Sequence, residues 1–322
     1  MRFLTTIILL ILMTGCLYAQ VSNVRVQQRT DGNFMVDIYY DFINPQGYDN
    51  EIAVEASNDN GATWDLECAS ITGDVGEGIS AGSDKHIEWD FYADNPNTSG
   101  SQFKVRVLCY YYDTMTGNDG TVYKTVKIGD QWWMAENLRE TQYRNLDGIP
   151  EITNTSVWGG LETGARCVYD NEESNGDIYG YLYNWYAVNH PSNIAPSGWH
   201  VATDGDWSEL ATYLDMGSPS YEYNTYSEWE DQGAKLAGRV DLWEGNSMLS
   251  NPNFNVSRFT AVAGGYRNSV GSFVDNDIIA RIWTASSYNL AEVWIRVVNC
   301  WGDFTRSSMF KEYGQSVRLV KD

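Results

Sequence analysis

Positive charge is scarce in this chain. Lys and Arg together number 21 against 43 Asp and Glu, a formal charge of −22. A surface this acidic repels phosphate at long range, which excludes nucleic acid as a partner and disfavours docking on anionic membranes. Histidine is scarcer still, with three in 322 residues, so no Ser-His-Asp or Cys-His arrangement can be built from spacing. The five cysteines form no CxxC, and none stands near a histidine at zinc-ligand spacing. No apolar run after residue 13 approaches the roughly 18 residues that a spanning helix requires. Aromatics, by contrast, are abundant: 13 Trp and 22 Tyr. So many rings cannot all be ligand platforms, and most must be core.

Residues 21–113 alternate apolar and polar side chains over short runs, the pattern of half-buried strands. Phe34-Met35-Val36-Asp37-Ile38-Tyr39-Tyr40 is the clearest run. Val24–Val26, Ile52–Ala56, His86–Trp89 and Phe103–Val107 are others. Turn formers separate them, as in Asp31-Gly32-Asn33 and Asn44-Pro45-Gln46-Gly47. No helical stripe interrupts, so residues 20–113 are expected to form an all-β sandwich of immunoglobulin or fibronectin III type. Trp64 and Trp89 are expected in its core. Residues 114–120, small and Gly-rich, read as a linker.

Residues 121–322 carry many Trp, Gly, Asn and Tyr and little regular periodicity. One helix is legible: Thr203 is a good N-cap, Asp206 stands three residues on as in a capping box, and Trp207, Leu210, Ala211 and Leu214 share a face. A second helix is expected over 229–236, closed by Gly238. Short strands are expected at Ile282–Ala285 and Val293–Val297. After removal of a leader, four cysteines remain, two in each domain. Cys68–Cys109 and Cys167–Cys300 are the economical disulfide pairings, and four buried thiols are the alternative. Asp170, Glu172, Glu173 and Asp177 crowd hard oxygen donors into eight residues, a candidate Ca²⁺ loop without the EF-hand form; a solvated acidic loop is the alternative. Asp275-Asn276-Asp277 is a poorer candidate. His190 and His200 read as structural. No catalytic residue is assigned.

The second domain carries a family resemblance. Gln131-Trp132-Trp133-Met134-Ala135-Glu136-Asn137-Leu138 resembles the opening of the Fibrobacter succinogenes major paralogous (FISUMP) domain. Tyr179-Gly180-Tyr181-Leu182-Tyr183-Asn184-Trp185, Gly198-Trp199-His200-Val201-Ala202-Thr203, Gly264-Gly265-Tyr266-Arg267 and Ser316-Val317-Arg318 follow in the family's order. Where Leu319 stands the family usually has Cys, so a disulfide from Cys167 to the last strand does not carry over. The stretch from Gly198 to Trp207 is also similar to formylglycine-generating enzyme-like domains. That likeness implies an α+β, loop-rich C-type lectin-like fold. The paired active-site cysteines of that enzyme are not identifiable, so its oxidation chemistry does not carry over. The resemblance implies an exported bacterial protein, often a lipoprotein, of unestablished activity. The expected function is a non-catalytic surface or periplasmic binding module of a Gram-negative bacterium, with a glycan or envelope protein as ligand. An oxidative modifying enzyme and a structural envelope protein are the alternatives.

Export is also expected from the N-terminus. Arg2 supplies a positive start, Leu4–Met13 a short apolar run, and Ala19 before Gln20 a cleavage point. Met13-Thr14-Gly15-Cys16 resembles a lipobox, with Cys16 as the alternative, lipidated start. Mass spectrometry of the mature protein is expected to find Gln20 as the first residue. A chain beginning at Met1 would refute export, and a diacylated Cys16 would refute cleavage after Ala19.

Overall fold

A computed structural model describes residues 20–216, 232–245 and 247–322. The leader, Cys16 and residues 229–231 of the expected second helix lie outside the described residues. Several β-sheets dominate, with only short helices. None of the described helices is long and apolar enough to cross a membrane. The described residues divide into two compact units, one ending at Asp113 and the other beginning at Thr114.

In the first unit the strands are β1 (Gln20–Gln28), β2 (Met35–Ile43), β3 (Asp49–Ser57), β4 (Ile71–Gly73), β5 (Gly76–Glu77), β6 (Gly82–Asp90) and β7 (Lys104–Thr116), with one helical turn, α1 (Phe91–Asp94), after β6. One antiparallel sheet runs β1-β2-β6-β4, and β3 pairs with β5 and β7. The two-residue period of β2 decides its faces: Val36, Ile38, Tyr40 and Phe42 are buried, and Tyr39 and Asp41 lie on the other side with Asp37. Trp89 is core, and its indole N–H donates to Asp94 at 2.9 Å. Trp64 is not. It is only half-buried, because the Arg106 guanidinium covers its ring at 4.1 Å instead of apolar side chains.

The stretch read as a linker has local structure of its own. Residues through Thr116 are strand, Met115 is buried, and 117–121 is a hairpin turn closed by Gly117 N–H to the Thr121 carbonyl at 2.8 Å. A Cβ at 117 would lie 1.6 Å from Glu140 Oε1, so any larger residue there would force the Glu140 side chain to move.

The second unit begins with the hairpin β8 (Val122–Ile128) and β9 (Gln131–Met134). There follow α2 (Thr155–Trp158), β10 (Arg166–Cys167), α3 (Glu173–Tyr179), β11 (Leu182–Tyr183), α4 (Trp185–Val188), β12 (Trp199–Val201) and α5 (Asp204–Tyr213). The remaining strands are β13 (Gly264–Arg267), β14 (Phe273–Asn276), β15 (Ile279–Ser287), β16 (Glu292–Asn299), β17 (Phe304–Phe310) and β18 (Leu319–Lys321). β9, β18 and β12 pair antiparallel; β15, β16 and β17 form a meander, with β13 joining β15 in parallel. The capping box of α5 is present: Asp206 N–H donates to Thr203 Oγ1, and Thr203 N–H to Asp206 Oδ2 at 2.7 Å. Trp207, Leu210 and Ala211 are its buried face, while the helix stops at Tyr213 and Leu214 becomes its C-cap. The described part of the second expected helix is a 3₁₀ turn, Gln232–Lys235, and the Gly238 N–H bonds the Ala261 carbonyl.

Loops must still satisfy their buried carbonyls, and buried arginines do so. Arg318 is wholly buried. Its guanidinium donates to Asn137 Oδ1 (2.7 Å) and to the carbonyls of Met134, Phe259 and Thr260 (each 2.8 Å). It stacks on Phe259, which closes an aromatic cluster with Trp133 and Trp207 at centroid distances of 4.9–5.5 Å. Arg267 is likewise buried; it donates to the carbonyls of Ile152, Thr153 and Gly271 and lies over Trp158 and Phe273. Replacing Arg318 with Met keeps most of the stem volume but strands three buried carbonyls and the Asn137 amide oxygen. Arg318→Met is expected to cost at least about 3 kcal/mol, read by urea unfolding; a loss below about 1 kcal/mol would show that the network contributes little.

Candidate functional site

None of the cysteine pairings expected from sequence forms. Cys68, Cys109 and Cys167 are thiols. Cys68 Sγ faces the Leu66 carbonyl, and Cys109, on β7 opposite Ile52, faces the Tyr110 carbonyl. Cys167 is buried against Trp158, Ala165, Tyr169 and Leu182, so it behaves as a small apolar side chain and Cys167–Cys300 is not made. Burial pushes all three thiols up to about 12. The thiolate that a redox or nucleophilic role needs is therefore suppressed.

The acidic loop does not converge either. Asp170 lies in the 3₁₀ turn Tyr169–Asn171, and Glu172 precedes α3 without capping it. Asp177 is a turn further along the helix and pairs with Arg139 at 3.3 Å. Winding the segment into a helix spreads the carboxylates into solvent, so no three of Asp170, Glu172, Glu173 and Asp177 bring oxygens together as metal ligands. Of the weaker candidate, Asp277 is committed to the Tyr179 hydroxyl at 3.1 Å and the Asn276 amide at 2.8 Å.

All three histidines are engaged. His190 stacks on Tyr143 at 4.1 Å, and its Nδ1 accepts from Ser192 N–H. His200, on β12, lies between Asp206 (3.1 Å from Nε2) and Asp322 (2.8 Å from Nδ1). The Asp206 carboxylate raises the imidazole to about 8. Acceptors on both nitrogens favour the imidazolium, which has no lone pair to act as a base. His86, in the first unit, bonds Asp37 at 2.7 Å, and its ring stacks on Tyr39 at 4.6 Å. Arg29 donates twice to Asp37, at 2.9 and 2.7 Å, and once to Glu88, and it holds the Asp37 carboxyl down to about 2. Asp37, His86 and Glu88 are the one group of three metal-ligand residues that converges among the described residues. Sequence reading missed it, because Asp37 on β2 stands 49 residues before His86, and only strand pairing brings it beside His86 and Glu88 on β6.

Two further features were not legible in the sequence. Arg296 is buried on β16 and shares Asp204 with Arg306: Arg296 Nη2 lies 2.7 Å from Oδ1 and Arg306 Nη2 2.8 Å from Oδ2. Glu140 is also wholly buried. Its Oε2 accepts one N–H, from Asp119 at 3.2 Å, and its Oε1 receives no hydrogen bond. Burial, then the Asp119 carboxylate, pushes Glu140 up to about 7. A groove of about 430 Å³ between the β8–β9 turn and α5 is lined by Gly129, Asp130, Gln131, Ser208, Glu209 and Tyr213, without a nucleophile–base pair.

What emerges is a class: an acidic, β-rich protein in two units, the second a loop-rich domain knitted by buried arginines and with its histidines held structurally. Residues 126–321 match the Fibrobacter succinogenes major domain, and the chain belongs to that family. Comparison with curated proteins and with solved structures returns no match. The residues that carry the family pattern, among them Trp133, Asn137, Tyr183, Trp207 and Arg318, are buried framework.

Glu140 and His200 set a pH dependence of one sign. Each holds its proton more tightly folded than unfolded, so each contributes stability at low pH that is lost as pH rises. The Glu140 contribution fades between about 4.5 and 7, on the order of 3 kcal/mol at most; that of His200 fades between about 6.5 and 8. Thermal melts are expected to fall steadily from pH 5 to pH 8. In Glu140→Gln the fall should be confined to pH above about 6.5. A variant that keeps the full decline would place the titrating group elsewhere.

Proposed function

We propose that this protein is an exported, non-catalytic binding module of a Gram-negative bacterium. It acts in the periplasm, on the outer-membrane surface or outside the cell, and its ligand is a glycan or an envelope protein. In this reading the first unit is an accessory sandwich of immunoglobulin or fibronectin III type. The second is a C-type lectin-like domain whose loops make the contacts.

The observation that carries the reading is Trp301. It is 58% exposed at the turn between β16 and β17. The turn is pinned: Asn299 Oδ1 accepts the N–H groups of Trp301 and Asp303, and Asn299 Nδ2 donates to the Asp303 carboxylate at 2.9 Å. Gly233 N–H holds the Gly302 carbonyl at 2.6 Å from the neighbouring 3₁₀ turn. An exposed indole on a backbone fixed in this way loses little entropy when a ligand packs on it. Exposed Tyr288 and Leu290, in the β15–β16 loop, add apolar surface. The suppressed thiols and the double carboxylate hold on His200 support a binding role over oxidative or hydrolytic chemistry.

Arrays of glycans and envelope proteins test this with the full chain and Trp301→Ala. A ligand of the full chain is expected to bind the variant about 30-fold more weakly, as an aromatic hot spot does. The melting temperature should change little, since most of the indole is exposed. Undiminished binding by the variant would remove the turn as the contact. No ligand on either array would favour a structural envelope role.

A further inference from the structure

We infer that the outer face of the first unit's β1-β2-β6-β4 sheet carries a divalent transition-metal site, best matched to Zn²⁺, formed by Asp37, His86 and Glu88 and guarded by Arg29. This inference is independent of the binding role proposed for the second unit.

The site follows from strand register. β2 and β6 run antiparallel with Asp37 directly opposite Glu88 and Tyr39 opposite His86. The two-residue period that sends Val36, Ile38, Ile87 and Trp89 into the core therefore sends Asp37, His86 and Glu88 to the other face. There, one ligand atom from each, an imidazole nitrogen and two carboxylate oxygens, lies within 4.8 Å of the other two. A metal bound between them would draw all three to about 2 Å, a short movement for side chains whose backbones are already fixed by the sheet. The donor set of one imidazole and two carboxylates, with room on the solvent side for water, suits zinc better than Ca²⁺, which takes six to eight oxygens.

Two observations separate this group from an ordinary acidic patch. The first is that the imidazole is already oriented. Its ring lies nearly parallel to Tyr39, with an interplanar angle of 10°, and Nε2 points at Asp37. Outer packing of this kind fixes a ligand before the metal arrives. The second is that the two carboxylates already share a cation. Arg29, just past the end of β1, reaches over and bonds both of them. Its side chain is 29% exposed, so the guanidinium can swing into water without opening the core. A divalent ion would take its place with twice the charge and direct coordination. Arg29 thus competes with the metal for one seat and sets the threshold at which the metal binds.

Calorimetric titration of the full chain with ZnCl₂ tests this, with Co²⁺ absorption as a second readout. One equivalent of Zn²⁺ is expected to bind the wild type. His86→Ala should weaken that site by about tenfold or more. Arg29→Ala should strengthen it, because the competing cation is gone. His200→Ala, which alters the other histidine–carboxylate cluster, should leave it unchanged. His86 and Arg29 lie outside the core, so circular dichroism should show both variants folded. The inference is overturned if neither the wild type nor Arg29→Ala binds saturably, if His86→Ala binds as tightly as the wild type, or if Arg29→Ala loses affinity.

Discussion

The second unit depends on the burial of Arg318. A guanidinium removed from water is costly unless its donors are met, and here every bond goes to a fixed neutral acceptor. Burial lowers the group to about 9, which still leaves it charged at neutral pH. Those acceptors belong to two segments far apart in sequence: residues 134–137 at the end of β9, and the loop at 259–260. Asn137 in turn donates to the Tyr179 carbonyl and to Ser316. One side chain thus fixes loops that no ladder of strand hydrogen bonds reaches.

The same solution recurs. Arg267 ties the 152–153 segment to the 268–271 turn, and Arg296 anchors the start of α5 through Asp204. A domain with short strands has many buried carbonyls outside any sheet, and arginine meets several of them with one residue. The aromatic rings then pack on the guanidinium faces, as Phe259, Trp158 and Trp294 do with Arg318, Arg267 and Arg306. Charge, aromatic packing and backbone satisfaction are met in the same places. Trp, Asn and Arg thus build the interior of this domain although the chain as a whole is so acidic.

Much of the first unit was legible because its signal is local. The alternation at 34–40 names both the strand and its buried face, and the turn formers at 31–33 and 44–47 mark its ends. The N-cap of α5 was legible for the same reason, since Thr203 and Asp206 are three residues apart. The disulfides were not, because spacing counts cysteines without saying which way a Sγ points; Cys167 points into apolar contacts. The acidic loop misled because crowding along the sequence became separation once α3 wound. Trp64 misled because an arginine, not a core, covers it.

The sequence by itself determined the strand pattern of the first unit, the helix at 204–213, the family of the second unit and the strongly acidic balance of the chain. All of these follow from neighbours, from short periods or from sums over the chain. Only the tertiary structure decided which charges are buried and which meet. The Glu140 carboxyl is shifted upward because it is buried under the hairpin at 117–121 and beside Asp119, and Asp37, His86 and Glu88 converge because β2 and β6 pair in one register rather than another. Such meetings are set by long-range contacts that no local window contains, and a one-residue slip in register would send each of those side chains to the opposite face.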